Sequence, residues 1–178
     1  MEVSGVTKPA HVRYGAIEVR DLKPGDLDAL SEFIIQIYAE YPTAMWFESR
    51  PTSRDIRMLF KYKLMGMADG KVVDIVAVSD GAILGECEIA EITNDTGYLG
   101  VIVKKEAQRE GIATMLMECA YGQARHIGLK RIIAEVVAEN DGARRLFSKN
   151  NYALAAGEER LVSIGGKEHE LLVFEKRL

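Results

Sequence analysis

The sequence predicts one mixed α/β domain on a single, mostly antiparallel sheet. Its 178 residues, of which 48% are apolar and 28% charged, can bury the core of one ordinary domain. Strand and helix patterns follow one another in the order β-α-α-β-β-β-α-β-α-β-β. The turn signals Asp80-Gly81 and 94–97 lie between strand patterns, so we expect hairpins at both points.

The N-terminal part of the chain predicts a tail and then a strand. Residues 1–14 lack an apolar core of the signal-peptide kind, and we expect a flexible tail there, before a domain spanning 15–178. Alternation over 16–20 predicts the first strand, which the turn residues 23–26 end.

Two helices are expected next. Apolar residues recur at helical spacing from Leu27 until just before Pro42, which predicts the first helix. Thr52-Ser53, with Asp55, can cap a second helix whose inner stripe ends at Met67. The connection between them carries Trp46, the only tryptophan, and has no regular pattern.

The rest of the chain predicts a strand-rich middle and an alternating C-terminal part. Strands are expected over 72–79, 82–92, 98–103 and 131–137, with two more around Gly165-Gly166. Helices are expected from Ile112 to Gly128 and over 141–149.

Composition excludes several classes of function. The net charge of −4 does not indicate a general nucleic-acid binder, and no apolar stretch approaches the roughly 20 residues of a membrane span. Cys87 and Cys119 lie far apart, and the three histidines show no ligand spacing, so we expect no metal. Two unpaired cysteines are typical of the reducing cytoplasm, where we expect the protein to act.

The most informative stretch runs over 101–114, where a β-branched strand is followed by a charged turn and a helix. The first amides of a helix have no intrahelical partner and lie at its positive end, which favours an anion such as phosphate. Gly111 allows close approach of the backbone, and Ala113 leaves the next position open. The stretch fits neither the P-loop pattern nor the dinucleotide-binding fingerprint.

Gln108-x-x-Gly111-x-Ala113 resembles the pyrophosphate loop of the GCN5-related N-acetyltransferase (GNAT) family, which binds coenzyme A. The resemblance implies the GNAT fold, with a splayed central strand, and acetyl-coenzyme A as cosubstrate. It implies that the backbone of the splayed strand pairs with pantetheine and that the following turn binds the pyrophosphate. The cofactor-binding residues so implied are Val101, Ile102, Val103, Gln108, Arg109, Glu110, Gly111, Ile112, Ala113 and Thr114.

A second motif extends the resemblance. Ala134-Glu135 to Asn140, followed by Ala143 and Phe147, resembles the ribosomal-protein and N-terminal acetyltransferase branch of the family. The resemblance implies that Asn140 contacts the pantetheine arm, although it could equally cap the helix that begins at Asp141. Phe147 stands at a cofactor-facing position where relatives commonly have a tyrosine that protonates the coenzyme A sulfur. Tyr98, Tyr121 and Tyr152 could replace it by residue type only.

The general base is expected to be a glutamate. Glu135 matches the strand glutamate proposed as base in that branch, provided that burial raises its pKa. The alternatives for Glu135 are an exposed strand position without a catalytic role and a structural ion pair. Glu86 and Glu88 are alternative bases, with Glu91 a further competitor, and alternation places Glu86 and Glu88 on one face opposite Cys87.

These expectations combine into one function. The chain is predicted to transfer an acetyl group from acetyl-coenzyme A to a primary amine by direct attack in a ternary complex, because no nucleophile and base pair stands out. The acceptor amine, on a protein or a small molecule and with cationic character, is expected to bind between the first two helices, the 38–51 connection and the Gly165-Gly166 hairpin. A homodimer is expected by resemblance. The alternatives are a non-catalytic acyl-coenzyme A-binding regulatory module and a polyamine or other acyltransferase.

Overall fold

A computed structural model describes residues 11–42 and 49–178, so Trp46 lies outside the described residues. The helices are α1 Leu27–Glu40, α2 Ser53–Ala68, α3 Ile112–His126 and α4 Asp141–Lys149. The strands are β1 His11–Tyr14, β2 Ile17–Asp21, β3 Val73–Ser79, β4 Ala82–Thr93, β5 Thr96–Val103, β6 Arg131–Val137, β7 Ala153–Leu154, β8 Arg160–Ile164 and β9 Lys167–Arg177.

The described strands form one sheet in the order β1-β2-β3-β4-β5-β6-β9-β7, with β8 paired to β9. All pairs are antiparallel except β5 with β6. The predicted mixed and mostly antiparallel sheet is therefore confirmed. The parallel pair arises because α3 carries the chain from the end of β5 back to the start of β6.

Helices cover both faces of the sheet. Apolar residues of α1 and α2 pack with Val76, Val78 and Ile83 on one side, which we call the α1/α2 face. Residues of α3 and α4 pack with a larger cluster on the other side, the α3/α4 face. Each strand side chain therefore faces one pair of helices or the other, according to its parity along the strand.

The ends of the elements follow the local signals in the sequence. Thr52 caps α2 as predicted: its hydroxyl accepts a hydrogen bond from the Asp55 amide, and the Asp55 carboxylate accepts one from the Thr52 amide at 2.8 Å. Asp80 and Gly81 both have positive φ and join β3 to β4 in a two-residue turn.

Two short strands are additional to the predicted order. His11–Tyr14 pairs with β2 around Gly15, which has a φ of 61°, so the expected tail of residues 1–14 overlaps the sheet by its last four residues. Ala153–Leu154 pairs with β9 as β7. Both are short edge strands whose side chains are exposed, so neither shows the buried alternation by which strands are recognised in a sequence.

None of the helices in the described part of the chain is both long enough and apolar enough to cross a membrane.

Candidate functional site

The sheet opens between β5 and β6. The two strands pair only from Thr96 with Arg131 to Tyr98 with Ile133. Beyond that point β5 continues to Val103 beside β4 alone, and β6 continues to Val137 beside β9 alone. The edge of β5 from Leu99 to Val103, about 13 Å long at 3.3 Å per residue, therefore faces a cleft between the strands.

The turn that follows the splayed strand β5 is held closed by the side chain of one of its residues, Gln108. Gln108 donates from Nε2 to the Val103 carbonyl at 3.1 Å and to the Tyr41 hydroxyl at 2.9 Å. This predicted cofactor-binding residue thus uses its amide group to hold the turn against β5 and α1. Because Nε2 is already used, Gln108 can contact a ligand only through its backbone or through its side-chain oxygen.

The turn presents successive amides at the start of α3. Arg109 and Gly111 both have positive φ, 67° and 82°, and such a backbone directs neighbouring N–H groups into one concavity. Met115 is the first α3 residue with a backbone acceptor, donating to the Gly111 carbonyl at 3.0 Å. Ile112, Ala113 and Thr114 are the first three helical residues, whose amides have no intrahelical partner.

There is room for an anion at this point. A Cβ atom built on Gly111 would meet nothing within 4 Å, so the space in front of the turn is open. No side chain caps the helix at Gly111. Free amides, the positive end of a 15-residue helix and open space together make a phosphate-binding geometry.

Helix α1 anchors the outer side of the turn. The side-chain amide of Gln36 donates from Nε2 to Glu106 Oε1 at 3.0 Å, and the backbone amide of Lys105 donates to Glu40 Oε2 at 3.0 Å. The position of α1 is therefore tied directly to the anion-binding turn. The same helix covers the α1/α2 face beside the cleft.

Glu135 lies on β6, on the far side of the cleft. Its neighbours Ala134 and Val136 pack in the core of the α3/α4 face, so alternation places Glu135 on the α1/α2 face. Its Oε1 accepts a hydrogen bond from Arg160 Nη2 at 2.6 Å. The structural ion pair, one of the alternative roles for this residue, is present, and among the described residues Glu135 Oε2 has no partner.

A cluster of one lysine and three acidic residues lies on the same face. We call it the Lys63 cluster, and its members are Lys63, Asp74, Glu86 and Glu88. Lys63 Nζ lies 2.7 Å from Asp74 Oδ2 and 3.2 Å from Glu86 Oε1, and it donates a short hydrogen bond to Glu88 Oε2. Glu86 and Glu88 therefore share a face, as their spacing predicts. Their partners on β5 are Ile102 and Gly100, within the unpaired part of that strand.

Burial decides the charge state of this cluster. Although burial opposes its charge, the three carboxylates raise the pKa of Lys63 well above its usual value, so the amine is an ammonium. Burial and the neighbouring Glu86 carboxylate raise the pKa of Asp74 well above its usual range. One ammonium thus faces three carboxyl groups, and burial makes Asp74 resist ionisation.

Asn140 and Phe147 belong to α4. The Asn140 Oδ1 atom accepts a hydrogen bond from the Ala143 amide at 3.0 Å, so the residue caps the helix. Phe147 is buried on the α3/α4 face, with its ring edge-on to Tyr152 at 4.9 Å and stacked on Phe174 at 6.0 Å between centroids. Its packing is that of a core residue.

The tyrosines differ in their access to the cleft. The hydroxyls of Tyr121 and Tyr152 lie 2.9 Å apart in the buried core, and Lys176 Nζ lies over both rings. Burial raises the pKa of both phenols above their usual value. Tyr98, by contrast, is exposed, and it sits at the last residue pair before β5 and β6 separate.

The described residues bring no group of three or more potential metal ligands together for a metal ion. Both cysteines are free thiols. Burial raises the pKa of the Cys87 thiol, and burial with the nearby Glu118 carboxylate raises that of Cys119. Neither thiol is therefore activated as a nucleophile.

Lys63, Asp74 and Arg160 were not among the site residues predicted from the sequence. Lys63 stands in the apolar stripe of α2, and Asp74 stands inside a strand that is otherwise apolar and buried. A charged residue within each buried pattern is the signal that could have identified them as a pair. No comparable signal marks Arg160, because an exposed arginine on a hairpin strand is ordinary.

Comparisons with known proteins agree with this geometry. The model of the acetyltransferase (GNAT) family matches residues 32–152. A Salmonella typhimurium acetyltransferase that modifies the N-terminal serine of ribosomal protein L7/L12 superposes with a TM-score of 0.80 at 14% identity, covering 93% of this chain and 96% of its own. No curated protein matches the chain by sequence.

Two further solved structures have the same fold. The ribosomal-protein-S5-alanine acetyltransferase of Vibrio fischeri gives a TM-score of 0.82 at 16% identity, covering 94% of this chain and 96% of that one. YncA of Salmonella typhimurium, a putative acetyltransferase with its cofactor acetyl-CoA, gives 0.78 at 17% identity, covering 92% and 95%.

Proposed function

Because the chain belongs to the GNAT family of acetyltransferases, we propose that it transfers an acetyl group from acetyl-coenzyme A to a primary amine of a protein or peptide. The observation that carries the proposal is the combination of an unpaired β5 edge with an amide-lined turn at its end. An ordinary sheet would have neither feature.

The chain's own residues fit acetyl-coenzyme A as a cosubstrate. The free backbone groups of Val101, Ile102 and Val103 can pair with the amides of an extended pantetheine arm, as an added strand would. The amides of the 109–114 turn can bind the pyrophosphate. When bound, the cosubstrate supplies the activated thioester, and the protein's backbone groups orient it.

Proton removal from the amine is assigned to Glu135, with Glu86 and Glu88 as the alternatives. Glu135 is on the same face as the Lys63 cluster and keeps one oxygen outside its ion pair with Arg160. Glu86 is sealed at 5% exposure, whereas 27% of the Glu88 side chain is accessible. Of the two alternatives, Glu88 is thus the one that an acceptor can touch.

Direct attack in a ternary complex needs no enzyme nucleophile. Both thiols are protonated and Cys87 is fully buried, which supports this route over a covalent intermediate. The two relatives that act on ribosomal proteins support a protein amine as the acceptor. The reducing cytoplasm and a homodimer stay predictions, the first supported by the two free cysteines.

The test follows the release of free coenzyme A thiol in the presence of N-terminal peptides, lysine peptides and polyamines. We expect turnover with a peptide amine and weaker turnover with polyamines. Tight acetyl-coenzyme A binding without turnover on the whole panel would instead identify a regulatory module. The best turnover with a polyamine would assign the chain to small-amine acetylation.

A further inference from the structure

The Lys63 cluster contains more negative charge than its lysine can neutralise. It has one ammonium and three carboxyl groups, so it carries a net charge of about −1 even when one carboxyl keeps its proton. Asp74 Oδ1, which is buried, has no hydrogen-bond partner in the described part of the chain, and Glu86 Oε1 meets the Lys63 ammonium at 3.2 Å. A buried acceptor without a donor is rare, and together with the excess negative charge it leaves the cluster short of one cation.

The position of the cluster explains what could supply that cation. Glu88 is directly opposite Gly100 on β5, where β5 has already separated from β6. A Cβ atom on Gly100 would meet nothing within 4 Å, so the space beside Glu88 over the splayed strand is open. Asp74 and Glu86 are sealed beneath, and Glu88 alone in the cluster has substantial access to that space.

The geometry points to a binding subsite for the ammonium form of the acceptor amine, in which Glu88 contacts the cation and Lys63 positions Glu88. Lys63 binds one oxygen of Glu88, Oε2, and so fixes the carboxylate while leaving Oε1 for the incoming group. This inference rests on the proposed function and names its acceptor class: amines that are protonated in solution. Capture of the cation is distinct from its later deprotonation, which is assigned to Glu135.

The charged groups that surround the Lys63 ammonium come from two strands. They are Asp74 of β3 and Glu86 and Glu88 of β4, and within the described residues no charged group of α1 lies within ion-pair distance. The Cys87 thiol faces the opposite side of β4 and feels the same charges. An acceptor ammonium at Glu88 would therefore meet an excess of negative charge, since Lys63 is the one cation that the described residues pair with these carboxylates.

The test separates acceptor KM from kcat. Glu88→Gln keeps the size of the side chain and its hydrogen bond to Lys63 but removes the charge, so KM for a peptide amine should rise about 10- to 100-fold, as expected for a lost charged hydrogen bond. We expect kcat to stay within threefold and the Kd of acetyl-coenzyme A to be unchanged. Glu118→Gln, which neutralises an exposed carboxylate on α3, is the control and should change neither constant.

The dependence of KM on ionic strength provides a second measurement. Its wild-type part does not require any variant to fold. The wild-type KM for the acceptor should rise with added salt, and the dependence should be shallower in Glu88→Gln. A wild-type KM that ignores salt, or an unchanged KM in Glu88→Gln, would overturn the subsite. A loss confined to kcat would also overturn it, by making Glu88 the base. Absence of wild-type turnover on every amine would instead reject the proposed function.

Discussion

The Glu135 carboxylate of β6 accepts a 2.6 Å hydrogen bond from Arg160 of β8, so the candidate base is fixed to the C-terminal hairpin. The hairpin therefore does more than cover the end of the sheet. It determines which oxygen of Glu135 is available on the face where the acceptor is expected.

Glu135→Gln should lower kcat by about 10²–10⁴-fold, the range typical of a positioned general base. The Kd of acetyl-coenzyme A should stay unchanged, because the substitution leaves β5 and the turn intact. Initial rates of coenzyme A thiol release give kcat, and calorimetric titration gives the Kd of acetyl-coenzyme A. Glu175→Gln is the control, since Glu175 is also a strand carboxylate paired with an arginine. Full activity in Glu135→Gln, with a loss of kcat in Glu86→Gln or Glu88→Gln, would move the base to β4.

Gly111→Glu should abolish calorimetrically detectable binding of acetyl-coenzyme A. The new carboxylate would occupy the open space in front of the turn and repel the pyrophosphate. Gly128→Glu is a close control: Gly128 also has a positive φ, 88°, and open space at its Cβ position, but it lies at the other end of α3. Equal affinity in the two variants would show that the phosphates bind elsewhere.

The resemblance to the family implies that residue 147 faces the coenzyme A sulfur, and on that premise Phe147→Tyr should raise kcat a few-fold by supplying an acid for the departing thiolate. A thiol pKa of about 8.5 makes that acid helpful without being essential. The buried hydroxyl should lower the free energy of unfolding by about 1–3 kcal/mol, since its surroundings are aromatic rings. Urea unfolding and steady-state kinetics measure the two effects. Lost stability without any gain in kcat would show that Phe147 does not face the sulfur.

Removal of the buried ammonium in Lys63→Met should destabilise the fold by about 3–5 kcal/mol, because the carboxylates around it lose their counter-ion. Lys61→Met, an exposed lysine of the same helix, should cost under about 0.5 kcal/mol. Adding Asp74→Asn and Glu86→Gln to Lys63→Met should recover part of the loss. If urea unfolding showed a larger loss of stability for Lys61→Met than for Lys63→Met, the cluster would be solvated in solution.

The tyrosine pair should make the fold sensitive to alkaline pH. Burial raises the pKa of Tyr121 and Tyr152 in the folded state, so the native protein holds protons that the unfolded chain releases above a pH of about 10. Their contribution to stability is complete below that pH and is lost as the pH rises further. The Tyr121→Phe/Tyr152→Phe variant should therefore lose less stability than wild type between pH 9 and about pH 11. Parallel pH curves for both proteins would contradict this.

The sequence predicted most elements because each had a local cause. The capping residues of α2, the Asp80-Gly81 turn and the glycine turn before α3 all act within a few residues, and the structure has them in place. The Lys63 cluster and the Glu135–Arg160 pair were missed as units because their members are 11 to 25 residues apart. Their contacts depend on strand register and on how α2 packs across the sheet, which no local pattern encodes.

The separation of β5 from β6 also has a consequence for how long the protein survives. Only three residue pairs join the two halves of the sheet, and a ligand seated along the open edge of β5 would pair with backbone groups that β6 leaves free. Such a ligand binds the native chain alone, and at 100 times its Kd it would add about 2.7 kcal/mol to the free energy of unfolding. The supply of acetyl-coenzyme A would then govern turnover of the protein itself, which would be most open to proteases when that supply falls.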